Sequence, residues 1–176
     1  MTVVTRAYVA LGSNLGDRLA TLEAALRALD GLPGVRVVAS SSVYETEPWG
    51  GVEQPPYANA VATLEVGGDA LSLLRACKVI EQELGREPGV RFGPRALDLD
   101  ILLFGDEVLD TPELTIPHPR MLEREFVVTP LLEIEPRVTL PDGRPVTAER
   151  AIEGRITGVL GRLSAPGDVP WGAEQE

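Results

Sequence analysis

With 176 residues, 44 % hydrophobic and 24 % charged, the chain suits one compact domain with a real core. A formal net charge of −11 argues against nucleic acid as the main partner, since phosphate binding needs a basic footprint. The single cysteine, Cys77, excludes an internal disulfide and suits a reducing cytoplasm. No apolar run is long enough for a bilayer, and the first residues are too polar for a signal peptide.

In chain order, RAYVAL (6–11) predicts a first strand. The turn GSNLGD (12–17) leads into a helix with Leu19, Leu22, Leu26 and Leu29 on one face and a stop at Asp30-Gly31. A second strand is expected over 35–45, then a Pro- and Gly-rich loop, TEPWGGVEQPP. A third strand falls near 58–66. Asp69 can cap a second helix whose apolar positions are Leu73, Cys77, Ile80 and Leu84, with Gly85 beyond its end.

A loop rich in Gly and Arg (85–95) precedes the strand PRALDLDILLF. Gly105-Asp106 predicts a hairpin turn into a short strand at 107–109. A loop containing IPHPR leads to a helix near 120–133, Pro141-Asp142-Gly143 to another turn, and 147–163 to a final helix. Residues 1–163 are expected to form one domain and 164–176 a flexible tail. The first six elements follow the order β-α-β-β-α-β, the split-βαβ order of a ferredoxin-like α+β sandwich. Both helices would cover one face of an antiparallel sheet, leaving the other face room for a site.

The chemistry concentrates in the last of these strands. Alternation puts Leu97, Leu99, Ile101 and Leu103 on one face, and Asp98, Asp100, Leu102 and Phe104 on the other. Two carboxylates one pleat apart can converge on a pair of hard cations, as in two-metal sites. They also fit a solvated edge strand that carries charge to deter aggregation. In the preceding loop, Arg86, Arg91 and Arg95 are spaced by Gly85, Gly89 and Gly93; arginines can clamp phosphate oxygens in bidentate fashion. Only Lys78 among the 16 basic residues is lysine, so phosphate chemistry here rests on arginine, and no GxxxxGK[ST] occurs to make a P-loop.

Trp49 and Tyr57 flank the Pro/Gly loop and Asn59 stands early in a strand of small residues. An aromatic with an amide suits a flat heterocycle, though both aromatics could equally cap the core. His118, the sole histidine, is held between Pro117 and Pro119 and is followed by Arg120, Arg124 and Phe126. One histidine and one cysteine do not make a zinc site, and no Ser-His-Asp signature is present. Phosphoryl or nucleotidyl transfer, with Mg²⁺ and arginines supplying the electrostatics, is the chemistry left.

The stretches GSNLGDR, QPPYANAV, GPRALDLDILLFG and LTIPHPRMLEREFVVTPLLEI together resemble the 6-hydroxymethyl-7,8-dihydropterin pyrophosphokinase family of folate biosynthesis. The resemblance spans about residues 6–145 in the family's order. It implies transfer of the β,γ-pyrophosphoryl group of ATP to the pterin hydroxymethyl oxygen, with release of AMP. By that likeness Asp98 and Asp100 would bind two Mg²⁺ ions, and Arg86 and Arg95 would stabilise the transition state. Arg91, His118 and Arg124 would contact the triphosphate, and Leu74, Ile101, Leu114 and Thr115 the adenine side. The pterin would lie between Tyr57 and Phe126, with Thr46 and Asn59 on its edge and Gly12 and Trp49 beside it. Pro88, Phe92 and Pro119 depart from the family's usual arginine, tryptophan and aromatic. The resemblance also implies a cytoplasmic monomer acting on small molecules, without nucleic acid or membrane. Two rivals remain: a non-catalytic ferredoxin-like metabolite sensor, which would bind without turnover, and a metal-dependent phosphohydrolase, which would release phosphate without any pterin.

Overall fold

The computed structural model describes residues 3–48, 53–85 and 96–163. The strands are β1 (Thr5–Ser13), β2 (Val35–Ser40), β3 (Ser42–Thr46), β4 (Tyr57–Val66), β5 (Asp98–Phe104), β6 (Leu109–Asp110), β7 (Thr115–Ile116) and β8 (Ile156–Arg162). The helices are α1 (Arg18–Asp30), α2 (Ala70–Leu84) and α3 (Glu125–Ile134), the last preceded by a 3₁₀ turn at Met121–Glu123. The main sheet runs β5-β1-β4-β3-β8, with β2 also on β4, and all its pairs are antiparallel. This is the expected ferredoxin-like α+β order, extended by one strand.

The predicted cap forms at Asp69, whose carboxylate accepts from the Ser72 amide, and Asp17, at the end of the GSNLGD turn, caps α1 by accepting from the Ala20 amide. α1 and α2 press Leu22, Leu26, Leu29, Leu73, Cys77 and Ile80 onto one sheet face. Leu19 and Leu84, expected on that stripe, each lie 37 % exposed at helix ends. α3 covers part of the opposite face, packing Val127, Val128 and Leu131 against Tyr8, Val61 and Leu103. It is bolted to β3 by Glu133, whose carboxylate accepts from the Ser42 amide (2.8 Å), the Ser42 hydroxyl and the Tyr44 hydroxyl. Burial and this carboxylate together push the Tyr44 phenol up to about 12.

Four expectations need correction. The second strand divides at the fully buried Ser41: its hydroxyl accepts the Val61 amide, and β2 and β3 pair with successive parts of β4. Residues 105–106 do turn, yet the following strand is Leu109–Asp110, and it pairs with Thr115–Ile116 rather than folding back on β5. The segment 147–163 is no helix. Its second half is β8, because Gly154, Gly158 and Gly161 weaken a helix while the β3 edge offers a full ladder. Finally, β5 does not alternate to its end. Its register on β1 jumps from Val9↔Ile101 to Tyr8↔Leu103, so Leu102 is an extra, bulged residue. Leu102 and Leu103 both join the α3-side cluster, and Phe104 turns to the α1/α2 core.

None of the described helices is long and apolar enough to cross a membrane. Replacing Glu133 with alanine strands the Ser42 amide and frees α3. The expected cost is roughly 2 kcal/mol in urea unfolding, as for hydrogen bonds to a charged group, with the midpoint lowered and the slope unchanged.

Candidate active site

The centre of the site is a row of small residues on the middle strand. Gly12 pairs with Asp98 on one side and Asn59 on the other, and Ala10 pairs with Asp100 and Val61. With strands about 4.8 Å apart, Asp98 and Asn59 stand roughly 10 Å from each other across a floor almost without side chains. Above that floor lies a cavity of about 260 Å³. It collects Asp98, Asp100, Gly12, Thr46, Tyr57, Asn59, Arg124 and Phe126, eight residues singled out in the sequence, and adds Gln54 and Leu102. Both aspartates are half-buried.

Gly12 makes room for its neighbour: a Cβ there would come within 2.8 Å of Asn59 Oδ1. Asn59, only 6 % exposed, donates through Nδ2 to Thr46 Oγ1 at 2.7 Å. Its Oδ1 is thereby turned over Gly12, and the Thr46 hydroxyl, having accepted, keeps its proton to donate. An acceptor and a donor therefore stand side by side at one end of the cavity. Tyr57 and Phe126 supply aromatic surface, and the Arg124 guanidinium lies 5.5 Å from the Phe126 ring centre. The wall carrying Gln54 is tied down from the β1–α1 turn. Asn14 Nδ2 donates to Gln54 Oε1 and the Pro55 carbonyl, and Arg18 donates to the Pro56 carbonyl and Glu45. Two prolines leave this stretch short of amide donors, so its acceptors are met from outside.

The bulge serves the site as well. Freed from the ladder, the Leu102 carbonyl accepts the His118 amide at 2.9 Å, which brings the Ile116-Pro117-His118 loop to β5. His118 Nδ1 accepts from the Arg120 amide, so the ring proton resides on Nε2. Burial lowers the His118 pKa, with Arg124 and Arg120 adding to the effect and Asp100 opposing it. Burial also works against the Arg124 charge, and Asp100 works for it. On the far edge of β5 the sequence missed a buried carboxylate. Glu81 of α2, 4 % exposed, accepts the Leu99 amide between the two aspartates, and burial raises its pKa. Only its place on the inner face of a helix of apolar periodicity hinted at such a role.

The adenine-side candidates are placed elsewhere. Ile101 (3 % exposed) and Leu114 belong to the α1/α2 core, Leu74 packs against it, and Thr115 lies in β7. Arg86, Arg91, Arg95 and Trp49, with Pro88 and Phe92, lie outside the described residues. No group of three or more His, Cys, Asp or Glu side chains that could hold a metal occurs among the described residues. The donor set is thus two hard carboxylates on one face, which suits a cation that takes its remaining ligands from water and phosphate, as Mg²⁺ does.

Fold and site together define a ferredoxin-like α+β protein with two carboxylates and an amide–aromatic grip in one cavity. The wild-type Plasmodium falciparum HPPK-DHPS crystal structure has the same fold, with TM-score 0.65 at 15 % identity. The match covers 83 % of this chain and 44 % of that one, so this chain spans less than half its length. The 2-amino-4-hydroxy-6-hydroxymethyldihydropteridine pyrophosphokinase of Pseudomonas aeruginosa is 48 % identical over 142 residues, 81 % of this chain and 88 % of its relative. The Bacillus subtilis protein of the same name is 47 % identical over 128 residues, 73 % of this chain and 77 % of its own. Residues 8–136 match the model of the 7,8-dihydro-6-hydroxymethylpterin-pyrophosphokinase (HPPK) family, and the chain belongs to that family.

As the only histidine, His118 gives an isolated imidazole signal in NMR. Its midpoint is expected below the usual value of about 6.5, because folding disfavours the charged ring. The stability this provides is complete above the unfolded pKa and is lost as pH falls through the folded one. His118→Gln should remove that acid-side loss; a midpoint above the unfolded value would contradict the assignment.

Proposed function

We propose that this chain transfers the pyrophosphoryl group of MgATP to the hydroxymethyl oxygen of 6-hydroxymethyl-7,8-dihydropterin, releasing AMP, in folate biosynthesis. Family membership supports the acceptor and the transferred group. The observation that carries the finer reading is the shared cavity: a carboxylate pair for the triphosphate end and an amide–hydroxyl–aromatic grip for a flat heterocycle, on one floor.

The pterin ring stacks between Tyr57 and Phe126. Asn59 Oδ1 accepts from its amino edge and the Thr46 hydroxyl donates to a ring acceptor, with the Gly12 backbone beneath. This aims the hydroxymethyl group along the floor towards Asp98 and Asp100, a placement worth more than any covalent chemistry in phosphoryl transfer. Asp98 and Asp100 hold two Mg²⁺ ions, which supply neutralisation of the polyphosphate charge when bound. Arg124 and His118 Nε2–H reach phosphate oxygens from the α3 side. Gly85 packs directly on Leu97, next to Asp98, and the sequence between them carries Arg86, Arg91 and Arg95. Those arginines are assigned to the triphosphate and to charge developing in transfer. Leu74, Ile101, Leu114 and Thr115 are assigned to the adenine side. Residues 1–163 act as one catalytic domain, and the enzyme works as a cytoplasmic monomer.

The test is a product assay: AMP should appear only when ATP, Mg²⁺ and the hydroxymethylpterin are all present. Release of ADP, or of phosphate without the pterin, would refute the reading. Asp98→Ala and Asp100→Ala should each lower turnover on the order of 10²-fold or more, with the fold retained by circular dichroism. Unchanged rates would remove both residues from the metal role.

A further inference from the structure

The segment 151–156, beyond the stretch matched by the family model, is laced to both walls of the cavity. On the α3 side, the Ile152 and Glu153 amides donate to the Glu123 carbonyl and the Glu125 amide donates to the Glu153 carbonyl. On the β3 side, Ile156 pairs with Thr46 and the Glu47 amide donates to the Arg155 carbonyl. Between these ties sits Gly154, buried, with φ of +67°. A Cβ at this position would collide with the edge of the Phe126 ring, overlapping Cδ1 and Cε1 and coming within 3.3 Å of Cγ. Neither the backbone conformation nor the space admits another residue without moving the ring.

We propose that Gly154 is a positioning residue for the heterocycle: its missing side chain seats the Phe126 ring at the cavity, and its strap fixes that ring relative to Thr46. The strap therefore sets pterin affinity without touching the pterin or the phosphates. This rests on the pterin reading given above.

The experiment is a double-mutant cycle on the full chain with Gly154→Ala and Phe126→Ala, reading pterin KM, ATP KM, kcat and melting temperature. Gly154→Ala should raise pterin KM on the order of tenfold, since a displaced positioning contact is costly, and leave ATP KM unchanged. In the Phe126→Ala background the second substitution should add nothing to pterin KM, because the ring it collides with is gone. If Gly154→Ala alone does not fold, Phe126→Ala should restore folding in part, by removing the collision and leaving only the strain of a left-handed alanine. An unchanged pterin KM, an equal rise in both backgrounds, or failure of that rescue overturns the inference. A wild-type enzyme inactive with the pterin would instead overturn the functional reading, before any variant is compared. Titrating the pterin's own fluorescence without ATP should show the same pattern in Kd.

Discussion

Gly12 pairs with Asp98 on one side and Asn59 on the other, and the site depends on that small residue being there. Two carboxylates repel on one strand face, and they are tolerated because the neighbouring strand offers Ala10 and Gly12 in place of bulk. The space so left keeps the charges open to water and forms the floor of the cavity. Packing that closed it would strip water from two like charges at a cost of several kcal/mol. The same absence of a side chain lets Asn59 turn its oxygen over the floor. One backbone position thus joins the carboxylate end of the cavity to the amide–aromatic end.

The surrounding structure stabilises this opening from three directions. Glu81 fixes the outer edge of β5 through the Leu99 amide, between the aspartates. The Leu102 bulge interrupts the regular ladder just past Ile101 and turns a carbonyl to the histidine loop. α3, held to β3 by Glu133, brings Arg124 and Phe126 over the face that α1 and α2 leave bare. Each device turns a polar group to geometry: Glu81 through one carboxylate oxygen, Glu133 through both, and the Leu102 carbonyl through the His118 amide.

Local signals made much of this legible. Asp17 and Asp69 cap where capping chemistry says they should, and the period of α1 and α2 identifies the core face. The carboxylate pair and the aromatic–amide segment could be read as chemistry: Asp98, Asp100, Tyr57 and Asn59 converge on one cavity with Arg124 and Phe126, and Gly12 and Thr46, given by the family resemblance, join them. What stayed hidden was set by pairing between distant segments. The bulge at Leu102 depends on β1, so alternation alone misplaced Leu103 and Phe104. β8 was mistaken for helix because its strand state comes from the β3 edge, and its glycines were read too lightly. Glu81 and Gly154 had no motif: one acts through a backbone amide, the other through a missing side chain.

The central claim is that the carboxylate pair and the heterocycle grip serve one reaction across the Ala10–Gly12 floor. The most direct measurement is paramagnetic relaxation of the pterin hydroxymethyl protons by Mn²⁺ in place of Mg²⁺, with a non-hydrolysable ATP analogue bound. Strong broadening of those protons, weaker at the far edge of the ring and abolished in Asp98→Ala, is the predicted result. Bound pterin whose hydroxymethyl signal ignores the metal would contradict the account.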